Sequence, residues 1–341
     1  MTGNQGQEND GKPSYEVIVV GGGPAGLTTA LYTTRLGHNT AVINRGGGRA
    51  AMMQDAHNII GVKEEVSGRE FLKTAVEQYG ADYYQDVVTD ITQVEGDSEC
   101  FLVETPDEKF IAERVVLATG FSDVPPSPPA PRTGRGLHYC LHCDAYMFVD
   151  ESVYVMGHSD SAAYVAMIML NFTDEVDLLL DGDDPTWSDE TDERLRAHPI
   201  DIVEEEVTEV NKDRESGWMK GFVFDDGTER DYKGGFAMYG SKYNNDLAKE
   251  MGVELNSDGR IVVDDHGKTS VPGVYAVGDI VPGHNQIPVA MGQGAKAGIA
   301  IHKELRTYPK SMEELRAESE TDSPAISSDF REAATSFGEG D

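Results

Sequence analysis

Two cysteines, Cys140 and Cys143, are the residues of this chain best suited to redox chemistry. A Cys-x-x-Cys pair lets a dithiol and a disulfide interconvert within one turn of chain, and its geometry can lower the pKa of the attacking thiol. His138 and His142 lie on either side of Cys140. A protonated imidazole there would stabilise a thiolate, and the alternative is that both histidines are surface residues of an irregular segment.

Zinc binding is the other chemistry that a Cys-x-x-Cys motif beside histidines allows. Structural zinc needs four ligands, commonly two cysteine pairs or two cysteines and two histidines. The chain has 3 cysteines, and the third, Cys100, lies in an apparent strand over residues 100–103. We therefore expect Cys100 to be a small buried hydrophobe, and we expect no metal site.

A glycine-rich loop near the amino terminus has the pattern that binds a dinucleotide. Gly21, Gly23 and Gly26 follow an apolar run at residues 15–20 and open a helix predicted over residues 24–36. The first glycine permits the tight turn, the second lets backbone approach a pyrophosphate, and the third lets the helix pack on the sheet. The helix N-terminus then binds the anion. The alternative is a structural glycine turn without a ligand.

The strand after this helix, predicted over residues 39–44, ends at Asn44, where an acidic residue usually holds the ribose. An amide oxygen can accept a ribose hydroxyl in its place, less strongly than a carboxylate. Arg45 and Arg49 lie on either side of a run of glycines. They either contact phosphate or are surface cations.

A second unit of the same kind follows a proline-rich stretch at residues 125–131, which we interpret as a linker. It has a strand at residues 152–156, a glycine turn at Gly157 and an apolar helix to about residue 170. Other strands are predicted over residues 115–117, 176–180, 236–239 and 273–279, and a long helix over residues 288–305. The predicted fold is α/β, with two Rossmann-like, three-layer dinucleotide-binding domains.

An excess of acidic side chains gives the 341-residue chain a formal net charge of −33. Such a chain repels nucleic acid and anionic membranes, so we expect neither as a partner. The acids are spread along the chain, which indicates a halophilic surface for molar salt, where the Debye length is about 3 Å; the alternative is an acidic mesophilic protein. Because residues 1–13 are polar and no apolar run approaches the ~18 residues of a membrane helix, we expect a cytoplasmic protein without a signal peptide.

Four motifs, in this order, resemble the low-molecular-weight thioredoxin reductases, which are FAD-dependent disulfide oxidoreductases. The glycine loop that begins at Gly21 resembles the family's FAD loop, and Ala118-Thr119-Gly120 resembles its ATG turn. Cys140, Cys143 and Asp144 stand where the family has its Cys-x-x-Cys-Asp. The C-terminal segment around Gly278-Asp279, Asn285-Gln286-Ile287 and Gly292-x-Gly294 resembles its last flavin-binding segment.

The resemblance covers residues 14–309 and implies a discontinuous FAD-binding domain, residues 14–122 and 244–309. Residues 123–243 would form the nicotinamide-type domain that carries the cysteines, between a disordered tail at residues 1–13 and an acidic, mobile tail at residues 310–341. The implied FAD-binding residues are Gly21, Gly23, Pro24, Ala25, Gly26, Asn44, Arg45, Arg49, Ala118, Thr119, Gly120, Gly278, Asp279, Asn285, Gln286 and Ile287.

The same resemblance implies roles. Cys143 meets the isoalloxazine ring, Cys140 attacks the external disulfide, and Asp144 serves as acid and base for the leaving thiol. Asp279 holds the ribityl chain, and the helix that begins near Gln286 points its N-terminal dipole at the flavin. Members of the family are homodimers, and their partner is a thioredoxin-like protein or a small disulfide.

The second glycine loop departs from the family's NADPH loop, whose place is taken by residues Gly157, Ser159, Asp160, Ser161 and Ala162. Ser159 replaces the middle glycine, and the next strand ends in the acids Asp181, Asp183 and Asp184 where the family has arginines. Two like charges in contact repel by about 1 kcal/mol even in water, so NADPH is disfavoured. Asp181 could instead select NADH, or the site is vestigial and a donor such as reduced ferredoxin serves.

These observations predict an enzyme, a thioredoxin-reductase-like flavoprotein that passes two electrons through FAD to the Cys140–Cys143 disulfide and on to a thioredoxin-type disulfide. One alternative is a flavin dithiol oxidase that passes electrons from a small dithiol to oxygen, which needs no nicotinamide. Another is a non-catalytic flavoprotein whose cysteines sense redox state.

Overall fold

The computed structural model describes residues 12–80, 82–94, 100–127, 133–317, 326, 330, 331 and 334. Its strands are β1 (Ser14–Val20), β2 (Thr40–Ile43), β3 (Asp82–Tyr84), β4 (Asp90–Val94), β5 (Cys100–Glu104), β6 (Lys109–Leu117), β7 (Phe121–Asp123), β8 (Leu137–His138), β9 (Val153–Met156), β10 (Val176–Leu179), β11 (Asp201–Val203), β12 (Val207–Lys212), β13 (Met219–Phe224), β14 (Glu229–Asp231), β15 (Gly234–Ala237), β16 (Ser241–Tyr243) and β17 (Val274–Ala276). Its α-helices are α1 (Pro24–Arg35), α2 (Gly68–Tyr79), α3 (Leu141–Asp144), α4 (Asp160–Met169), α5 (Asp189–Arg196), α6 (Asp246–Glu250), α7 (Ile287–Leu305) and α8 (Met312–Ala317).

The described residues divide into two compact units. The first comprises the residues up to Arg45, Gln78–Ala118 and those from Leu247 on, and the second comprises Gly46–Glu77 and Thr119–Asp246. The domain bounds expected from the sequence stay a prediction, and they differ from these units in placing residues 46–77 with the FAD-binding part. Residues 1–11 of the expected amino-terminal tail and residues 128–131 of the expected linker lie outside the described residues.

The first unit is built on a sheet of order β3-β2-β1-β6-β5-β4, in which β17 also pairs with β6. β1 runs parallel to both β2 and β6. Val17, Ile18 and Val19 of β1 are fully buried, as a parallel strand covered on both faces requires. Parallel pairing brings the carboxyl ends of β1 and β6 to the same edge, where the Ala118 N–H donates to the Val20 carbonyl oxygen (2.8 Å).

The strand predicted at residues 115–117 is only the last part of β6. The longer strand begins at Lys109, and its first half pairs antiparallel with β5, whereas its last residues pair parallel with β17. Exposed and buried positions alternate over that first half. A short apolar run is a clear strand signal, but an alternating run with two charges is a weak one.

The second unit is built on a parallel sheet of order β11-β10-β9-β15-β8. The predicted strands at residues 152–156 and 176–180 and the helix after Gly157 are confirmed as β9, β10 and α4. β15 begins two residues earlier than predicted, at Gly234. A Cβ at Gly235 would lie 2.0 Å from the Tyr154 carbonyl oxygen, so the strand needs glycine where it passes β9, although a glycine pair in a sequence ordinarily indicates a turn.

The expected mobile tail at residues 310–341 stays a prediction, and its residues 318–325, 327–329, 332, 333 and 335–341 lie outside the described residues. α8 begins with a capping box: the Ser311 N–H donates to Glu314 Oε2 (2.6 Å), and the Glu314 N–H donates to Ser311 Oγ (3.2 Å). Further along, the Phe330 ring lies beside Gly37, 3.5 Å from where a Cβ would stand. The Ser-x-x-Glu signal of this cap is present in the sequence.

Helix α7 packs on α1 through a stripe of small residues. A Cβ at Gly294 would lie 2.3 Å from the Ala25 carbonyl oxygen, and one at Gly298 would lie 2.8 Å from Tyr32 Cβ. Backbone can approach backbone this closely only where one helix carries no side chain. This contact fixes the C-terminal helix against the helix that opens the first glycine loop.

We expect Gly294→Ala to lower the free energy of unfolding by about 1–3 kcal/mol, because the added methyl group must displace the α1 backbone. Gly292→Ala, in the same helix, is the matched control, since no described atom lies within 4 Å of its added Cβ. Its better helix propensity should raise the free energy of unfolding by about 0.5–1 kcal/mol. Denaturant titration at fixed salt measures both, and equal effects would contradict the close packing.

Candidate functional site

The cysteine pair lies at the start of a short helix in the second unit. Cys140 and Cys143 form a disulfide, and Cys140 is the N-cap residue of α3. The Cys140 carbonyl oxygen accepts from the N–H groups of Cys143 (3.1 Å) and Asp144 (3.2 Å). Leu141, between the cysteines, is buried in the core of this unit beside Phe148. A hydrogen-bonded turn and one apolar anchor therefore hold the predicted disulfide.

A buried histidine lies beside Asp144. His138, on β8, is 2% exposed, and its Nδ1 lies 2.7 Å from Asp144 Oδ2. The imidazole ring packs edge-on against Phe148, with centroids 5.3 Å apart, and lies tilted against Phe236, with centroids 6.0 Å apart. The surface interpretation is therefore wrong for His138 and confirmed for His142, which is exposed. The sequence placed His138 near the cysteines but did not show its carboxylate partner.

Residues 46–77 bring two further side chains to the disulfide, and sequence reasoning missed both. Asn58 Nδ2 lies 3.6 Å from Cys143 Sγ, within hydrogen-bonding distance for sulfur. His57 packs edge-on against Tyr146, with ring centroids 5.9 Å apart. No short motif marks residues 57 and 58, and the contact between Asn58 and Cys143 spans 85 positions of the chain. Only the tertiary structure could have found it.

Arg49, a predicted phosphate ligand, lies in an ion pair of the second unit. Its Nε donates to Asp123 Oδ2 (2.8 Å), and its side chain is 23% exposed. The guanidinium also lies 4.8 Å from the centre of the Phe121 ring and 3.4 Å from the Tyr139 carbonyl oxygen, just before Cys140. Its role towards phosphate stays a prediction. Arg45, by contrast, is exposed in the first unit.

The ATG turn divides between the two units. Ala118 belongs to the first unit, and its Cβ lies 3.1 Å from where a Cβ of Gly26 would stand. Thr119 belongs to the second, where its Oγ1 donates to the Asn244 carbonyl oxygen (2.7 Å) and its carbonyl oxygen accepts from Asn244 Nδ2 (2.8 Å). The Asn244 N–H donates to the Gly120 carbonyl oxygen (3.0 Å). These bonds continue the antiparallel pair of β7 and β16.

The first glycine loop has the geometry of an anion site. Gly21 has a φ of 114°, which favours glycine, and a Cβ at Gly26 would lie 2.1 Å from the Gly21 carbonyl oxygen. Gly23 is the N-cap of α1, with no side-chain cap and no described atom within 4 Å of an added Cβ. Pro24 occupies the first helical position. The loop therefore presents first-turn backbone N–H groups to a space bare of side chains.

Asn44 and the C-terminal segment border this loop within the first unit. Asn44 Nδ2 donates to the Tyr83 hydroxyl (2.7 Å), and the amide lies 2.8 Å from where a Cβ of Gly22 would stand. A Cβ at Gly278, where φ is 80°, would lie 2.8 Å from Ala25 Cβ. The half-buried Asp279 follows in a 3₁₀ turn.

The start of α7 lies in the same unit. Asn285 is half-buried, Gln286 is the N-cap of α7, and Ile287 is its first residue. Like α1, the helix begins without a side-chain cap and with Pro288 in its first turn. Among the described residues, the first unit therefore has two helix N-termini, those of α1 and α7, that begin without a side-chain cap hydrogen bond.

Metal ligation and membrane spanning both lack support in the described residues. They contain no group of three or more His, Cys, Asp or Glu side chains arranged to hold a metal ion. Within the same residues, no helix combines the length and the apolar character needed to cross a bilayer. Cys100, on β5, is a half-buried free thiol.

A family model described as pyridine nucleotide-disulphide oxidoreductase matches residues 15–294. The chain belongs to this family. It is 30% identical to the thioredoxin reductase of Peptoclostridium acidaminophilum over 307 residues, which are 85% of this chain and 96% of that protein. The crystal structure of thioredoxin reductase from Streptococcus pyogenes MGAS5005 matches it with a TM-score of 0.79 at 28% identity, covering 86% of this chain and 99% of the other.

Another relative of the chain is longer. An alkyl hydroperoxide reductase protein of Pseudomonas putida is 34% identical over 319 residues, which are 88% of this chain but only 60% of that protein. The resemblance that the four motifs predicted is confirmed. So is the α/β fold with Rossmann-like domains.

The second glycine loop, in the other unit, is bridged by the chain itself. Gly157 begins the loop with a φ of 139°. The Thr186 N–H and hydroxyl both donate to the His158 carbonyl oxygen, at 2.7 and 3.1 Å. His158 Nδ1 lies 3.2 Å from Asp183 Oδ2. The segment after β10 therefore folds back onto the loop that would receive a pyrophosphate.

The acids at this loop are also engaged. Asp181 Oδ1 accepts from the Val207 N–H (2.9 Å), Oδ2 accepts from the Tyr239 hydroxyl (3.1 Å), and burial raises the pKa of its carboxyl. Asp160, in the first turn of α4, accepts at one oxygen from the hydroxyls of Thr191 (2.5 Å) and Ser188 (3.4 Å). A carboxylate at a helix N-terminus takes the favourable place of a bound anion. Ser159 is the N-cap, and Ser161 and Ala162 follow within α4.

Proposed function

We propose that this protein is an FAD-dependent, thioredoxin-reductase-like reductase whose Cys140–Cys143 pair passes two electrons to a thioredoxin-type protein disulfide. The observation that supports it most is that disulfide, held at the start of α3 beside Asp144, in a chain whose other unit carries an open dinucleotide loop. The thioredoxin reductase relative, matched over 96% of its length, supports the same partner class.

The residues of the first unit fit FAD. The space at Gly23, bare of side chains, and the uncapped start of α1 suit a pyrophosphate. The Asn44 amide, held by Tyr83, would accept or donate at a ribose, and Asp279 would take ribityl hydroxyls. The start of α7 would place partial positive charge near the ring. FAD, when bound, supplies the electron pair that reduces the disulfide.

The cysteines then carry out a balanced exchange. The Cys140 thiolate attacks one sulfur of the partner disulfide and forms a mixed disulfide, while the other partner sulfur leaves as a thiolate and takes a proton from Asp144. Cys143 next attacks the Cys140 sulfur. This restores the Cys140–Cys143 bond and releases the second partner thiol, so two electrons leave the chain and the partner gains two thiols.

We expect Cys143→Ser to abolish turnover of a thioredoxin disulfide, with a loss of at least about 10³-fold, because the mixed disulfide then has no resolving thiol. Cys100→Ser is the matched control, since Cys100 is a half-buried free thiol on a strand of the other unit. Its turnover should stay within about twofold of the parent, as no mutated atom touches the reacting groups. Thioredoxin reduction followed by insulin turbidity measures both. An unchanged rate in Cys143→Ser would contradict the proposed roles.

We propose that the second glycine loop does not bind NADPH or NADH, so the electron donor is another reductant such as reduced ferredoxin. The support is the set of contacts that the chain makes within the loop and at its acids. Thr186 donates to the His158 carbonyl oxygen, and Asp183 lies beside the His158 ring. Both oxygens of Asp181 accept hydrogen bonds. Each oxygen of the Asp181 carboxylate already accepts one hydrogen bond within the chain, so a 2′-hydroxyl would have to share an oxygen with Val207 or Tyr239. This argues against the NADH alternative as well as against NADPH.

Direct titration tests this donor proposal. We expect calorimetry with NADP⁺ and NAD⁺ to show dissociation constants above about 1 mM, a free energy weaker than about −4 kcal/mol. In anaerobic absorbance measurements on the holoprotein, reduced ferredoxin should bleach the flavin in one fast phase and neither nicotinamide should. Saturable micromolar binding of either nucleotide would overturn the proposal and leave the thioredoxin reductase assignment intact.

The bridged second loop also favours a second candidate, a flavin dithiol oxidase, because an oxidase needs no nicotinamide. Electrons would then enter at the cysteines from a small dithiol and leave to oxygen. Steady oxygen consumption with dithiothreitol and no reduction of thioredoxin with any donor would support it. Oxygen consumption no faster than that of Cys143→Ser would exclude it.

We also propose that the protein works as a homodimer in a salt-rich cytoplasm. The family resemblance supports the dimer. The net charge of −33 supports high salt, because repulsion of that size destabilises a compact chain unless ions screen it.

A further inference from the structure

We propose that His138 is a positioning residue for disulfide exchange: it holds one oxygen of Asp144, so that the other oxygen carries the proton exchanged with sulfur. The inference rests on the proposed role of Asp144. Its geometric basis is the distance of 2.7 Å between His138 Nδ1 and Asp144 Oδ2. The residue that precedes the cysteine pair by two positions is thereby linked to the residue that follows it.

The burial of His138 decides which of its two ring nitrogens carries a proton. Nε2 is buried, and none of the described residues offers it a hydrogen-bond partner. The ring also packs against Phe148 and Phe236. An N–H at Nε2 would therefore be buried without an acceptor, which disfavours the tautomer protonated there. In the other tautomer the proton is on Nδ1, which donates to Oδ2 of Asp144.

With the His138 proton on Nδ1, the two carboxylate oxygens of Asp144 have different roles. Oδ2 is committed to His138, whereas Oδ1 remains to take up and release a proton. Asp144 is only partly buried, with 21% of its side chain exposed, so Oδ1 can exchange protons with solvent between turnovers. A carboxyl group that is held in one orientation transfers its proton to a departing thiolate more efficiently than one that rotates, because it loses less rotational entropy in the transition state.

A histidine with an unpartnered buried nitrogen is a poor choice for stability alone. A leucine of similar volume would fill the same space between Phe148 and Phe236 without burying a polar atom. Asp144, being partly exposed, could be hydrated without its partner. The arrangement is therefore better explained by chemistry at Asp144 than by packing.

Other ionisable groups surround the pair and must be accounted for. Burial raises the pKa of Tyr146, as do the nearby carboxylates of Glu64, Asp144 and Asp55. Tyr146 therefore stays neutral over the pH range of the test. The ring of His57 packs on Tyr146. The apolar faces of Phe148 and Phe236 present no charge to His138.

The test follows the chain's own disulfide and needs no acceptor protein. Dithiothreitol reduces it: one thiolate of the reagent attacks Cys140, Cys143 leaves as a thiolate and is protonated, and the second reagent thiol displaces Cys140. The reagent is oxidised to its cyclic disulfide. Anaerobic acid quench, alkylation and mass spectrometry of the holoprotein give the rate constant, which is divided by the thiolate fraction of the reagent at each pH.

We expect His138→Leu to lower this rate by about tenfold, the value of one well-placed hydrogen bond, and to flatten its dependence on pH. His138→Asn should restore the rate to within about threefold and keep the parent's pH profile, because the amide N–H can occupy the place of Nδ1–H. The melting temperature of His138→Leu should equal or exceed that of the parent. An Asn variant as slow as the Leu variant would overturn the proposal.

A double-mutant cycle separates positioning from a general structural role. In an Asp144→Asn background, His138→Leu should change the rate by less than about twofold, because the effect of His138 passes through the carboxylate. Phe148→Leu is the packing control and should keep the parent's pH profile while lowering stability. Additive losses from His138→Leu and Asp144→Asn would refute the inference. Failure of thioredoxin turnover in the parent would refute the proposed function but leave this cycle measurable.

Discussion

The chemistry of this protein depends on one local constraint, the disulfide turn that α3 makes with the core beneath it. The Cys140 carbonyl oxygen accepts the N–H groups of Cys143 and Asp144, which holds the two sulfurs and the carboxylate in one turn of chain. Leu141 and Phe148 anchor that turn in the apolar core of the second unit. Phe148 also bounds the ring of His138, so the same packing that fixes the disulfide fixes the partner of the carboxylate.

Two glycine loops of similar sequence have different physical surroundings. At the first, Gly23 faces space and the first-turn N–H groups of α1 have no side-chain acceptor. At the second, Thr186 donates to the loop carbonyl of His158, and the carboxylate of Asp160 lies at the start of the helix. A glycine pattern permits close approach of a phosphate but does not require it. Phosphate binding also depends on whether hydrogen-bond donors and carboxylates of the chain already occupy the loop.

Much of the architecture could be predicted because its signals are local. Val17, Ile18 and Val19 form a continuous apolar run, and the run is buried on both faces as such strands must be. The prediction for β15 starts two residues late because Gly234 and Gly235, which usually indicate a turn, are used to bring strand backbone against β9. α8 was missed although its Ser-x-x-Glu cap is visible, because the acidic composition around it outweighed a short signal.

The sequence by itself determined the strands and helices around the two glycine loops, the redox pair and the family, since spacing along the chain carries each of these. Only the tertiary structure decided which side chains surround the cysteines. Asn58 reaches Cys143 across 85 positions, Arg49 pairs with Asp123 rather than standing exposed, and His138 is buried against Asp144. The physical reason is that a hydrogen bond depends on distances of about 3 Å between atoms that distant segments bring together, and no local pattern encodes such a distance.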